Sequence, residues 1–210
     1  MLRNESWKSV LLIGVSAACL AAGSAVAQTD TWQLDPNHSS AQFSVRHMGI
    51  STVRGAFTKL SGEVTYSSSD VSKSTVDVTI DTNSVDTHVE RRDNDLRSDH
   101  FLDVAKYPAM TFKSKRVVAA GAGKLQVIGD LTLHGVTKEV TLDVDGPSAP
   151  MKDPRGNLHM GASATTKINR SDFGMTGMTA MVGDEISIII DVELVQRVNA
   201  GPGPASAVQH

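Results

Sequence analysis

The chain has 210 residues, with 20 Lys and Arg against 23 Asp and Glu, a formal net charge of −3 and only 4% aromatic residues. That composition supplies neither the basic stripe nor the stacking platform that nucleic-acid binding requires. Cys19 is the only cysteine, so a disulfide scaffold is excluded, and once the leader described next is removed, so are thiol catalysis and cysteine-held metals.

The first residues carry Arg3 and Lys8, then an apolar run from Val10 to Ala22, then Ala25-Val26-Ala27 before Gln28. This pattern predicts a secretory signal peptide, residues 1–27, cut after Ala27. Ala17-Ala18-Cys19 resembles the end of a lipidation box, but Ser16 stands where a large aliphatic residue is usual. No later segment approaches the roughly 20 apolar residues of a membrane helix, so no integral span is expected. Residues 28–198 are predicted to form one all-β domain, and 199–210, with Gly-Pro-Gly-Pro, a flexible tail.

Within the domain, strands are predicted near 31–47, 52–66, 74–82, 108–119, 123–134, 136–146, 156–169 and 183–197. The clearest lies between Lys124 and Val144, where apolar and polar residues alternate and the alternation folds back at His134-Gly135. Leu125, Val127, Leu131 and Leu133 share one face of the first arm, and Val136, Val140, Leu142 and Val144 one face of the second, as a period of two requires. Two segments break the meander. Thr87 to Arg97 opens with Thr87 and Glu90 at capping-box spacing and reads as a short charged surface helix. Arg170 to Val182, rich in Gly and Met, reads as a loop or helical turn, with Asp172 capping the turn at Phe173-Gly174. About eight antiparallel strands with one apolar face each close into a barrel or pack as a sandwich, and the pattern alone does not separate the two. Inward residues are mostly Val, Leu, Ile, Met, Ala and Gly, few large enough to plug a barrel, which favours a cavity.

Several motifs, taken in order, resemble the YceI-like family across essentially the whole domain. They are Trp32-x-Leu34-Asp35-Pro36-x-His38-Ser39, Phe43-x-Val45-x-His47-Met48-Gly49 and Val53-x-Gly55-x-Phe57; Arg92-Asp93-x-x-Leu96-Arg97-Ser98 and Tyr107-Pro108-x-Met110-x-Phe112; Gly129-x-Leu131-Thr132-Leu133-His134-Gly135 and Ile168-Asn169-Arg170-x-Asp172-Phe173-Gly174-Met175. The resemblance implies an extended eight-stranded antiparallel barrel, lipocalin-like, with one or two short helices. It also implies a periplasmic location and a long isoprenoid or related amphiphile, such as a quinone, a polyprenyl phosphate or a fatty amide, held in an apolar tunnel. Leu102 departs from the pattern, since the family has a second Phe there.

On this reading Phe43, Val45, His47, Phe57, Phe112, Leu133, Phe173, Met175 and Met178 are the candidate tunnel lining. The methionines suit a flexible guest because their side chains are adaptable and polarizable. Arg91, Arg92 and Arg170 are candidate contacts to a head group. The same arginines also fit a solvated, ion-paired helix surface, with Arg91 one turn from Asp95. No histidine pair has metal-ligand spacing, and no cofactor fingerprint is present, so no metal site, cofactor or catalytic residue is assigned. Asp35, His38 and Ser39 offer the residue types of a triad without a nucleophile elbow. The leading expectation is therefore a carrier of an isoprenoid that performs no chemistry. The alternatives are an enzyme using His47 or His134 as acid or base in the tunnel, or a module that docks a membrane redox partner. Pairing of two barrels as a homodimer is left open.

Overall fold

The computed structural model describes residues 29–196. The segment read as a signal peptide, Cys19 and the C-terminal tail lie outside the described residues. In chain order the strands are β1 (Asp30–Leu34), β2 (Ser40–His47), β3 (Ser51–Phe57), β4 (Leu60–Tyr66), β5 (Thr75–Asp81), β6 (Val85–Asp86), β7 (Ala109–Ala119), β8 (Lys124–Leu133), β9 (Val136–Asp145), β10 (Met151–Lys152), β11 (Leu158–Asn169) and β12 (Val182–Gln196). One α-helix, α1 (Glu90–Arg97), and 3-10 turns at Val71–Lys73, Thr82–Ser84 and Arg170–Phe173 complete the described fold.

Neighbouring strands run β11-β9-β8-β7-β5-β4-β1-β12, and β12 returns to β11, so eight antiparallel strands close a barrel. Each of these eight strands has a partner on both sides. Two of the expected strands are broken. β1 and β2 lie end to end along β12, pairing with Leu194–Val195 and with Val182–Asp191 respectively, and the chain between them turns at 35–39. β3 and β4 follow suit, with Thr58 and Lys59 at the break bonded to Ser84. The seam between β9 and β11 is the short one, with only three registered pairs from Ser163↔Asp145 to Thr165↔Asp143.

Local chemistry explains these shapes. Leu133 pairs with Val136 across a two-residue turn whose residues, His134 and Gly135, both have positive φ (52° and 74°). A tight turn of that hand matches the right-handed twist of its strands. In β7 the register shifts between Ser114 and Arg116, moving the inward set from Met110 and Phe112 to Val117. Such a bulge adds one unpaired residue and bends the strand. Gly129 on β8 lies where a Cβ would meet the Lys113 carbonyl at 2.5 Å and the tip of the Phe112 ring at 2.7 Å, so only glycine admits that ring.

The helix is present but is capped differently from the expectation. Its N-cap is Val89, without a side-chain bond, and Thr87 instead donates its backbone N–H and its hydroxyl to the buried Asp93. The carboxylate thus satisfies the chain from one turn inside the helix. At the Arg170–Phe173 turn, Asp184 accepts from Ser171 N at 2.9 Å and from its hydroxyl at 2.7 Å. Asp184, not Asp172, stabilises that turn, because the start of β12 lies against it.

Buried side chains concentrate at the two ends of the barrel. One cluster joins Val85, Leu102, Met110, Leu133, Ile168, Phe173 and Met175 beneath the segment that carries α1. A second joins Trp32, Leu34, Ala41, Leu60, Met160 and Leu194, and a third Phe112, Val117 and Val127 on β7 and β8. Between them Phe43, Phe57, Val78, Ile186, Ile188 and Ile190 are only half-buried although they line the interior. Apolar side chains on the inside of a closed wall are partly uncovered when the middle is vacant.

Candidate functional site

That vacant middle is an apolar cavity of about 280 Å³. At ~30 Å³ per water-sized group it has room for roughly nine such groups. Its wall takes residues from both ends of the barrel, from Leu34, Leu60 and Leu194 to Val85, Leu102 and Met175. Strand parity explains the lining: Ile186, Ile188, Ile190, Val192 and Leu194 on β12 face Val76, Val78 and Ile80 on β5 and Val140, Leu142 and Val144 on β9. Ala162 and Ala164, both in the lining, leave space that larger residues would fill.

Of the residues proposed from sequence, Phe43, Val45, Phe57, Phe112, Leu133 and Met175 come together in this wall. Phe43 and Phe57 pack ring to ring at 5.7 Å between centroids. Three others do not belong to it. His47 shares the parity of Phe43 and Val45 but is the last residue of β2, paired with Ser51 at the hairpin end, beyond the cavity. Phe173 is 1% exposed and packs within the end cluster, so it is core. Met178 lies in the loop before β12 with φ 53° and is 45% exposed. The sequence reading overlooked the β12 isoleucines, whose even parity was visible, and Leu96, Phe101 and Leu102, which lie in a segment without strand alternation.

The three arginines also separate. Arg91 is exposed on α1 and is not in the cavity wall. Arg92 donates from Nε to Thr87 Oγ1 at 2.8 Å and from Nη2 to the Thr87 carbonyl at 2.9 Å, which ties the helix to its entry. Neither therefore forms a head-group site. Arg170 does line the cavity, and it is the only Lys, Arg, His, Asp or Glu among the described lining residues. It is 3% exposed and donates to the carbonyls of Met175 (2.6 Å), Val182 (3.0 Å) and Gly183 (3.0 Å), with the Phe101 ring 6.0 Å from its guanidinium carbon. The guanidinium is held by neutral carbonyls, with the Asp184 carboxylate near enough to feel its charge.

No general base is aimed into the cavity by the residues the sequence offered. His134 Nδ1 lies 3.1 Å from the Phe173 carbonyl and its ring packs 4.7 Å from that of Tyr107, so it holds a turn. Ser39 Oγ bonds the backbone of Glu193 rather than His38, so the triad residue types are not a triad. The histidines with raised pKa lie on the outer surface, each held by carboxylates: His38 by Asp35, His100 by Asp95, and His159 by Glu193 and then Asp153. Among the described residues no helix is long and apolar enough to cross a membrane.

An eight-stranded antiparallel barrel around an elongated apolar cavity, with one buried cation in its wall, defines a lipocalin-like architecture. The chain belongs to the YceI-like family, whose domain model matches residues 32–194. It is 36% identical over 190 residues to a UPF0312 protein of Vibrio cholerae, covering 90% of this chain and 99% of that protein. The crystal structure of a Campylobacter jejuni YCEI protein superposes with a TM-score of 0.65 at 34% identity, over 73% of this chain and 90% of that one. A polyisoprenoid binding domain from Saccharophagus degradans, implicated in plant cell wall breakdown, shares the fold at 20% identity, with a TM-score of 0.58 over 79% of this chain and 98% of that one.

Proposed function

We propose that the protein binds a long-chain isoprenoid, a quinone or polyprenyl phosphate, inside the barrel and carries or sequesters it in the periplasm without chemistry. The observation that carries this reading is the apolar cavity of about 280 Å³ with Arg170 as its one charged wall residue. Roughly nine positions correspond to about two five-carbon units of the tail. Each buried methylene contributes ~0.8 kcal/mol, so a chain of that length supplies the affinity and the guanidinium selects the head group. The polyisoprenoid binding domain of Saccharophagus degradans supports the assignment as a protein of the same fold. The N-terminal pattern from Arg3 to Ala27 supports export.

Native mass spectrometry of protein purified from its own periplasm tests the reading. The expected result is a complex whose mass excess matches an isoprenoid. Finding only apoprotein, with no uptake of added quinone, prenol or fatty amide, refutes it.

A further inference from the structure

A second constellation lies outside the tunnel and assembles residues that are remote in the chain. Asp35 and His38 occupy the turn between β1 and β2, and Glu193 is on β12 with an outward parity. One ligand atom from each of Asp35, His38 and Glu193 lies within 4.8 Å of the other two. His38 Nδ1 is 3.1 Å from Asp35 Oδ2. The backbone fixes the pairing of the two segments: Asp35 N donates to the Glu193 carbonyl at 2.8 Å, and Glu193 N donates to Ser39 Oγ at 3.1 Å. Behind Glu193 stands His159 of β11, with Nδ1 2.7 Å from Glu193 Oε1 and Nε2 3.4 Å from Asp153 Oδ2.

We propose that Asp35, His38 and Glu193 bind a divalent transition-metal ion of the zinc class, with His159 and Asp153 acting as positioning residues for Glu193. One imidazole nitrogen and two carboxylate oxygens are donors that such ions accept, at ~2.0–2.2 Å. Donors at those radii sit ~3–4 Å apart, so the present spread closes by a small rotation of His38, whose side chain is 64% exposed. Two carboxylates balance the charge of the ion. The chain His159–Asp153 supplies the outer hydrogen bonds that orient a ligating carboxylate. Calcium is not the expected occupant, since it takes six to eight oxygens. Three protein ligands leave a coordination position open to solvent, beside the groove formed by Ser148, Met151 and Lys152. This inference is independent of the tunnel and of what fills it.

The test is isothermal titration of the tag-free protein with ZnCl2, alongside visible absorption on adding Co2+. The expected result is one equivalent bound, at least tenfold weaker binding in His38→Ala and in Glu193→Gln, a cobalt spectrum that both variants lose, and no comparable binding of Mg2+ or Ca2+. His159→Asn is expected to keep the stoichiometry and weaken the affinity. Circular dichroism melts of the metal-free variants check folding, and Asp35→Asn replaces Glu193→Gln if the latter is unstable. Absence of stoichiometric binding overturns the proposal. So does binding that is unchanged in the His38→Ala/Glu193→Gln double variant, which places the ion on other residues.

Discussion

Replacing Ala164 by Trp separates a vacant barrel from a filled one. Ala164 is 9% exposed, lies on the inward face of β11 and pairs with Val144 and Ile190, both of which line the cavity. The indole adds about nine heavy atoms, enough to fill most of the roughly nine positions that about 280 Å³ provides. A guest that loses about nine buried carbons at ~0.8 kcal/mol each gives up as much as ~7 kcal/mol. A micromolar complex has only ~8 kcal/mol in all, so ligand occupancy is expected to fall below detection by native mass spectrometry. The apoprotein is expected to melt at or above the wild-type temperature, because the new side chain enters space that holds no atoms. In a packed interior the same substitution costs ~1–3 kcal/mol. For a domain of this size each kcal/mol moves the melting temperature by ~2–4 °C. A fall of ~5 °C or more in the apoprotein, with ligand uptake retained, refutes the vacant-barrel argument.

Among straight-chain prenols, affinity measured through fluorescence of Trp32, the only tryptophan in residues 29–196, is expected to rise with length and level off near roughly ten carbons. Arg170→Gln is expected to abolish any preference for a phosphorylated over a neutral guest of equal length. It should also lower thermal stability, since carbonyls of Met175, Val182 and Gly183 lose charged donors worth ~1.5–3 kcal/mol each. Competition binding and melting curves read the two effects separately. Asp93→Ala strands the Thr87 N–H and is expected to cost ~1–3 kcal/mol in urea unfolding, while an exposed change such as Arg91→Ala leaves stability unaltered. His100 keeps its proton to higher pH than a free imidazole because Asp95 accepts its hydrogen bond at 3.0 Å and adds charge attraction. That stabilisation is present below the ordinary imidazole range and is lost as pH rises through the raised value; an NMR titration of Asp95→Asn should move His100 back toward ordinary behaviour, with Asp99 still favouring the proton.

Alternation made the strands legible, because each has one face against the cavity and the other in water, and a period of two records that directly. The breaks at 35–39 and 58–59 and the bulge in β7 were not visible, since they answer to the closure of the barrel rather than to local preference. Parity also gave direction without depth. It placed His47 on the same face as Phe43 but had no means of showing that β2 outruns the cavity by that residue. Phe173 and Met178 sit where no period exists, so their residue types were the only guide, and one proved to be core and the other surface. The Asp35, His38 and Glu193 group was hidden for a different reason. Two of its members are close in sequence, but the third arrives on β12, and motif spacing carries no information about a partner 154 residues from Ser39.

The division of labour along the tunnel follows from how weakly apolar walls discriminate. A methylene more or less is worth ~1–3 kcal/mol in a hydrophobic pocket, so a wall of Val, Ile and Leu grades guests by length and bulk but accepts many of them. Polar selection has to come from a buried group that a wrong guest would leave unsatisfied. In this barrel the charged group in the wall is Arg170, set beside Met175 of the end cluster and the Phe101 ring and held at a fixed angle by three carbonyls. The same carbonyls make the site rigid, since a guanidinium that swung toward a guest would strand them. For the proposed guest this places the head at the arginine, at the end under α1, with the tail toward Leu34 and Leu60. Strand substitutions such as Ala164→Trp therefore shorten the tail that fits, whereas changes at Arg170 alter the head group accepted. A chain-length series measured on both variants should show these two effects independently.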